Sequence, residues 1–476
     1  MTDQTAGQAP ATPAGPGLSD GYKAYALFIL VVIYTSNFID RQIIGTVAQQ
    51  IKVDLKLTDA DIGWLSGIAF ASLYVILGVP IARLAERFNR VAIISVSLAL
   101  WSGFTAACGL AQNFLQLFLT RVGVGIGEAG CSPAAQSLLS DYYSPQKRAT
   151  ALAIYSLGIP LGSLFGALLG GWIALTYGWR MAFFIVGLPG LLIAIVAWLT
   201  LKEPKRGAYD PPAVAAAMAG TRTPSLWTVF RQLFSKASFR HMTIGATLSS
   251  FAGYGIAYFA VPFLLRGPFG LNVAEAGGAY GLLGGLAAAV GVFMGGFITD
   301  LIGKRSRTAY AVVPGVGFLI AAPLYVLAFM QPTLMGMAAY VIVPLILQYL
   351  YLGPTFAVTH NLVEPRSRAT ATALLFVPIN LIGLGFGPPF VGWLSDFMAG
   401  RAFGQAGQTG DFNAVCPGGV APAGSAADLV AACGGSSFDG VKWAIIITSG
   451  VIYAWAGLHY LYAARHLKRD LEAAGA

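Results

Sequence analysis

Charge is scarce in this sequence. Asp, Glu, Lys and Arg make up 10% of its 476 residues, against roughly a quarter in an ordinary soluble domain. A chain this poor in charge cannot cover a water-facing surface, so most of its exterior must face lipid. Cysteine and histidine are scarce too, with four of each. There is no CxxC and no His pair at ligand spacing, so neither a metal nor a cofactor is expected. No Walker motif, no Gly-x-Ser-x-Gly and no other catalytic set occurs, which argues against ATP as an energy source and against an enzyme. The spelling Gly125-Ile-Gly-Glu-Ala-Gly130 matches a dinucleotide fingerprint, but it lies inside an apolar run with no strand before it. The first twenty residues hold no Lys or Arg and so lack the basic start of a signal peptide. They are read as a disordered cytoplasmic tail.

What the sequence has in abundance is apolar length. A spanning helix needs roughly 20 mainly apolar residues. Twelve such runs occur, at about 24–48, 60–84, 91–111, 114–140, 149–177, 180–201, 241–266, 275–301, 309–330, 334–360, 369–398 and 441–465. The 59 Gly and 25 Pro are tolerable there, because neighbouring membrane helices re-satisfy freed backbone groups. The net charge of +9 is spread over short loops and does not point to nucleic acid. With both termini cytoplasmic, 21 of the 29 Lys and Arg fall on the inner side, six on the outer side, and two, Arg41 and Arg121, within spans. Such a bias orients the chain in a cell's inner membrane. The expected fold is therefore all-α, with twelve transmembrane helices. Residues 21–201 and 241–466 form two bundles of six, joined by a basic cytoplasmic linker, 202–240, and followed by a tail, 467–476. An outer loop, 399–440, carries Cys416 and Cys433, which either form a disulfide in an oxidising compartment or remain free thiols.

The two halves repeat one another. Leu57-Thr58-Asp59-Ala60-Asp61-Ile62-Gly63 aligns with Leu271-Asn272-Val273-Ala274-Glu275-Ala276-Gly277, an offset of 214. Thr58 and Asn272 each precede an acid by three residues, the spelling of a capping box. The same offset pairs Glu86 and Arg90 with Asp300 and Lys304. Further on, Pro145-Gln-Lys-Arg148-Ala-Thr-Ala151 aligns with Pro365-Arg-Ser-Arg368-Ala-Thr-Ala371, an offset of 220. Two similar six-span halves are a mark of secondary transporters with a site at their interface.

At these residues the chain resembles the major facilitator superfamily. Ala82-Arg-Leu-Ala-Glu86-Arg87-Phe-Asn89-Arg90 looks like that superfamily's loop signature after span two, with Ala82, Glu86, Asn89 and Val91 departing from it. Gly296-Phe-Ile-Thr-Asp300-Leu-Ile-Gly303-Lys304-Arg305 is its twin. Arg121-Val-Gly-Val-Gly125-Ile-Gly127-Glu128-Ala129 resembles the fourth-helix signature. Asn37-Phe-Ile-Asp40-Arg41, Asp141-Tyr-Tyr-Ser-Pro-Gln-Lys147-Arg148 and Ile159-Pro160-Leu-Gly162-Ser163 are similar to the Spinster family of lysolipid and sphingolipid transporters. The resemblance implies the superfamily's two-bundle fold and alternating access. It further implies a small amphipathic or anionic substrate, with small organic anions or drugs as the alternative. The carrier is expected to act as a monomer in the bilayer.

Four charges stand out because they lie within spans: Asp40, Arg41, Arg121 and Glu128. A charge at the bilayer centre costs roughly 2.5–3.5 kcal/mol even on the lenient insertion scale, so these four should face the bundle interior and pair. Arg121 and Glu128 are seven apart and share a helix face, two turns separated. Each is expected to meet span one or water, with Asp40 pairing to Arg121 or Arg41. The reading is a proton-coupling cluster, a role the resemblance also implies for Asp40, Arg121 and Glu128. A permanent structural ion pair is the alternative, and a third reading gives Arg41 or Arg121 an anionic headgroup.

Glu86, Arg87 and Arg90, with Asp141 at the inner end of span four, read as a gate latch. The acid would sit at a helix N-terminus, which by resemblance is that of span eleven near Ala369. Such a latch would hold the outward-open state. Tyr254, Tyr258, Phe259, Tyr280, Phe356, Phe376 and Asn380 are candidates for the substrate path. The Gly158, Gly162, Gly166 and Gly170 series in span five reads as close helix packing.

Overall fold

The computed structural model describes residues 17–206, 209, 225–364 and 367–474. The tail before residue 17, much of the 202–240 linker, and Pro365 and Arg366 of the repeat lie outside the described residues. Among those described, eleven helices are long and apolar enough to cross a membrane. The twelfth expected span, 114–140, is present as two shorter helices, Phe114–Glu128 and Cys131–Tyr142. The break falls at Ala129 and Gly130, directly after the charged Glu128, which is why neither piece reaches spanning length. Large apolar side chains such as Leu192, Leu199 and Phe293 are exposed on the flanks, a surface that suits lipid rather than water.

The halves are built alike. Span one is Asp20–Thr46, continued by the short helix Ala48–Asp54. Span two is Asp59–Ser66 and Ile68–Arg87, span three Arg90–Cys108, span five Pro145–Ser156 and Gly158–Tyr177, and span six Trp179–Thr200. Span seven is Ala237–Arg266, span eight Val273–Gly303, span nine Ala309–Phe329, and span ten Leu334–Leu347 with Leu352–Asn361. Both capping boxes form: Thr58 with Asp61 at the start of span two, and Asn272 with Glu275 at the start of span eight. Span eleven runs Arg368–Pro378 and Gly385–Gln405, joined by a π-helical stretch, Ile379–Leu384, directly after Pro378. A proline has no N–H for the helical ladder, which locally loosens it. Span twelve begins at Ala427. Spans eleven and twelve thus reach well into the stretch read from sequence as an outer loop, leaving 406–426 as the connection.

Glycine decides how close the helices come. A Cβ at Gly125 would collide with the Phe70 carbonyl of span two, and one at Gly127 with the Trp101 backbone of span three. Span four therefore lies in backbone contact with both neighbours. Gly158, Gly162 and Gly166 likewise seat span five on Tyr34, Phe38 and Gln42 of span one.

At the predicted outer end the halves are locked together. Asp59 of span two is buried and is gripped by three donors. Lys52 Nζ lies 2.8 Å from its Oδ1, the Arg266 guanidinium lies 2.7 Å from each of its carboxylate oxygens, and Ser395 Oγ donates to Oδ2 at 2.7 Å. Arg266 and Ser395 belong to the second half. Asp396 of span eleven caps the start of span two, accepting from the N–H groups of Asp59 at 3.1 Å and Ala60 at 2.8 Å. A carboxylate at a helix N-terminus is favoured by the dipole there. Burial pushes the Lys52 ammonium below the usual lysine range, Arg266 pushes the same way, and Asp59 opposes both. A turn of the second half covers Lys52: Gly418 and Gly419 have φ of +73° and +81°, and a Cβ on Gly418 would stand 3.0 Å from the Lys52 carbonyl. Cys416 and Cys433 are joined in a disulfide, which ties that turn to the start of span twelve.

Two outcomes follow from this packing. Asp59→Ala removes the carboxylate that pairs Lys52 and Arg266 and leaves Asp396 alone against two buried cations, a loss of about 3–5 kcal/mol in comparable sites. Distances between spin labels on the outer ends of the two halves should therefore lengthen, and unchanged distances would refute the lock. Gly125→Leu overpacks the contact between spans two and four by about 1–3 kcal/mol, read as a lower melting temperature of the purified protein.

Candidate functional site

The four intramembrane charges meet where spans one and four cross. Asn37, Asp40 and Arg41 share a face of span one by their i, i+3, i+4 spacing. Arg121 and Glu128 present the facing surface of span four. Arg41 Nε lies 2.7 Å from Glu128 Oε2. Seven residues away, Arg121 Nη1 donates to the backbone carbonyl of Asp40 at 3.4 Å. Each charge of span four thus meets span one, but Arg121 reaches the Asp40 main chain and not its carboxylate. Asp40, Arg121 and Glu128 are fully enclosed, with exposures of 0%, 0% and 1%. Both Asp40 carboxylate oxygens and Arg121 Nε and Nη2 are buried without a hydrogen bond of normal geometry.

Arg41 differs from the other three. Its side chain keeps 13% of its exposure, and its guanidinium lies 5.0, 4.8 and 4.8 Å from the ring centres of Phe38, Phe70 and Tyr74. Aromatic faces hold a desolvated cation by their quadrupole. The arrangement therefore has one sequestered acid, Asp40, one sequestered guanidinium, Arg121, and one ion pair, Arg41–Glu128, whose guanidinium keeps some exposure. Close contact of span four with spans two and three, through Gly125 and Gly127, brings the Phe70 ring to 5.7 Å from the Arg121 guanidinium. A sequence scan for charges finds the quartet. It misses Phe70 and Tyr74, which look like ordinary apolar positions.

The predicted latch residues divide. Arg90 is buried and paired with Asp141, but also with Glu203, whose Oε1 is 2.7 Å from its Nε. Glu203 further accepts from the Arg90 backbone N–H at 2.8 Å, and Ser137 accepts from Arg90 Nη1. These partners all belong to the first half, so Arg90 binds the ends of spans three, four and six to one another. Glu86 and Arg87 are exposed at the end of span two, with no second-half partner among the described residues. The pattern expected at this end, an acid of one half capping a helix of the other, occurs at the opposite end as Asp396 on span two. That is the end where Asp59 joins the halves.

The proposed path residues also divide. Phe259 is fully buried in the packed core. It sits on the same stripe of span seven as the buried Ile256 and Phe263. Tyr258 is nearly buried and packs over Gly45 of span one. Tyr254 and Tyr280 are half-buried. Phe356 and Phe376 pair across spans ten and eleven at 5.4 Å, with Phe376 exposed and Asn380 Nδ2 donating to its carbonyl at 3.1 Å. Among the described residues no group of three or more His, Cys, Asp and Glu could hold a metal ion.

Comparison with known proteins bears on the same architecture. The family model of the Major Facilitator Superfamily matches residues 30–388. An MFS-type efflux pump of Mycolicibacterium smegmatis is 34% identical over 381 residues, covering 80% of this chain and 86% of that one. Human protein spinster homolog 1 is 27% identical over 403 residues, covering 80% and 74%. A crystal structure of a bacterial homolog of the human lysosomal transporter Spinster, inward-facing and unoccupied, superposes with a TM-score of 0.86. It is 37% identical, covering 95% of this chain and 99% of that one. Fold, motifs and relatives agree: the chain belongs to the major facilitator superfamily, is homologous to the Spinster proteins, and is a transporter and not an enzyme.

Proposed function

We propose that this transporter moves an amphipathic, lipid-like anion of the lysophospholipid or sphingolipid type by proton-coupled alternating access. It works as a monomer in the inner membrane with both termini cytoplasmic. The observation that carries this reading is the Asp40 carboxylate, fully enclosed near Arg121 and without a hydrogen bond of normal geometry. A buried carboxylate is stable either ionised next to a cation or neutral away from one. Movement of span four relative to span one changes that distance, so proton occupancy and conformation depend on each other. The Arg41–Glu128 pair supplies the second half of the exchange. Protonating Glu128 frees the one guanidinium that already touches the interior, and a substrate's anionic headgroup can then take the carboxylate's place. Kinship with the Spinster proteins supports the lipid class. The 34% identity to an efflux pump favours the alternative, a small organic anion or drug.

Uptake of labelled lysolipids and organic acids into proteoliposomes, with and without an imposed pH gradient, separates these readings. Lysolipid accumulation that follows the gradient is expected; accumulation of organic acids alone would select the alternative. Asp40→Asn and Glu128→Gln should each abolish gradient-driven accumulation while leaving expression and melting temperature intact. Normal uptake by both at every pH would remove proton coupling. Arg41→Lys keeps the charge but loses the planar fork that pairs with Glu128 and stacks on Phe70 and Tyr74. Its apparent substrate affinity should fall by about tenfold, a figure set by one lost charge-assisted contact of roughly 1.5 kcal/mol.

A further inference from the structure

The two halves treat one equivalent position differently. In the first half Arg90 is buried and its charge is matched by Asp141 and Glu203. The repeat's offsets of 214 and 220 carry Arg90 to Lys304 and Asp141 to Asn361. At that place in the second half there is a cavity of about 300 Å³. Lys304, Arg307 and Asn361 line it, with Asp300 and Tyr310 at one side. Val358 and Leu471, both buried, contribute its apolar lining. Leu471 lies at the end of span twelve, the counterpart of the end of span six from which Glu203 reaches Arg90.

The second half therefore keeps the cation, has Asn361 where the first half has Asp141, and brings no acid of span twelve into the cavity. Asp300 is the one carboxylate in the cavity, and it already accepts from the Tyr310 hydroxyl at 2.8 Å. Lys304 and Arg307 are exposed, with no ion-pair partner among the described residues. Two cations against one engaged acid leave the cavity positive. It opens where spans eight, ten and twelve end. The exposed apolar side chains of Phe297 and Leu301 continue from Lys304 along one stripe of span eight, by i, i+3 and i+4 spacing. A free anion would have no use for that apolar stripe, whereas a lipid tail would cover it.

We propose that this cavity is a binding site for the phosphate group of a membrane lipid, with Lys304 and Arg307 as its cationic ligands and Asn361 as a neutral hydrogen-bond donor. Lys offers a point charge and Arg a fork, both suited to phosphate oxygens. The site is separate from the charge quartet and does not depend on what the transporter carries. In the first half the same position is closed by protein acids. In the second half a lipid headgroup supplies the missing negative charge.

The test is native mass spectrometry of the full-length protein, titrated with phosphatidic acid, with phosphatidylcholine and with inorganic phosphate. Wild-type protein should retain phosphatidic acid over phosphatidylcholine. Lys304→Gln/Arg307→Gln should weaken that retention by about tenfold or more, from roughly 1 kcal/mol per basic residue. Asn361→Asp, which restores the acid of the first half, should weaken it as well by occupying Lys304. Both variants lie at an exposed rim, and an unchanged melting temperature would show that they fold. Equal retention of phosphatidic acid by wild type and the double variant overturns the proposal. So does binding of inorganic phosphate with no preference for phosphatidic acid over phosphatidylcholine. An Asn361→Asp variant that binds as tightly as wild type also counts against it.

Discussion

Inside a bilayer a charge that finds no partner in the protein has no water to fall back on. That constraint shapes this molecule more than any other. The four charges within spans gather into one quartet, Asp40, Arg41, Arg121 and Glu128, and charges at the span ends gather into the Lys52, Asp59, Arg266 and Asp396 clasp. The first lies within one half and the second bridges both. Everything else in the fold serves to let helices approach closely enough for these groups to meet. The glycines of span four are the clearest case, since they bring span four against spans two and three at the level of Arg121 and Glu128.

The repeat gives the two halves the same scaffold but not the same chemistry. The capping boxes at Thr58 and Asn272 are alike. The neighbouring positions are not, because Asp59 of the first half aligns with Val273 of the second. One half thus offers a carboxylate to the clasp and the other offers the guanidinium that grips it. The same divergence appears at Arg90 and Lys304. Duplication supplied a symmetric frame, and the loss or gain of single acids made its ends unequal.

Much of the fold was legible because its signals are long. Apolar runs, loop charges and the repeat spell out the spans; the departures are the broken fourth span, next to a residue the sequence had already singled out, and the reach of spans eleven and twelve into the stretch read as an outer loop. The quartet was legible for a similar reason, since Asp40 or Glu128 in an apolar run must find a partner inside the bundle. The clasp was not. Asp59 sits at a span's start, where it reads as a cap, and Lys52 and Arg266 read as ordinary flanking charges of outer loops. Their meeting depends on how two halves are set against each other, which no local pattern encodes. Asp396 was the clue that could have been used: it is an acid within an apolar run, and it went unremarked beside the more conspicuous quartet. Glu203 was missed because its partner Arg90 had a nearer and more obvious acid in Asp141.

The charge balance of the two clusters has an electrical consequence. With all groups ionised, the quartet sums to zero, and so does the clasp. Opening the clasp therefore moves no net charge through the transmembrane field, where one elementary charge would gain or lose about 2.3 kcal/mol per 100 mV. The clasp should open as readily in a de-energised cell as in an energised one. Of these two clusters, only the quartet would respond to membrane voltage, through a charge that it takes up.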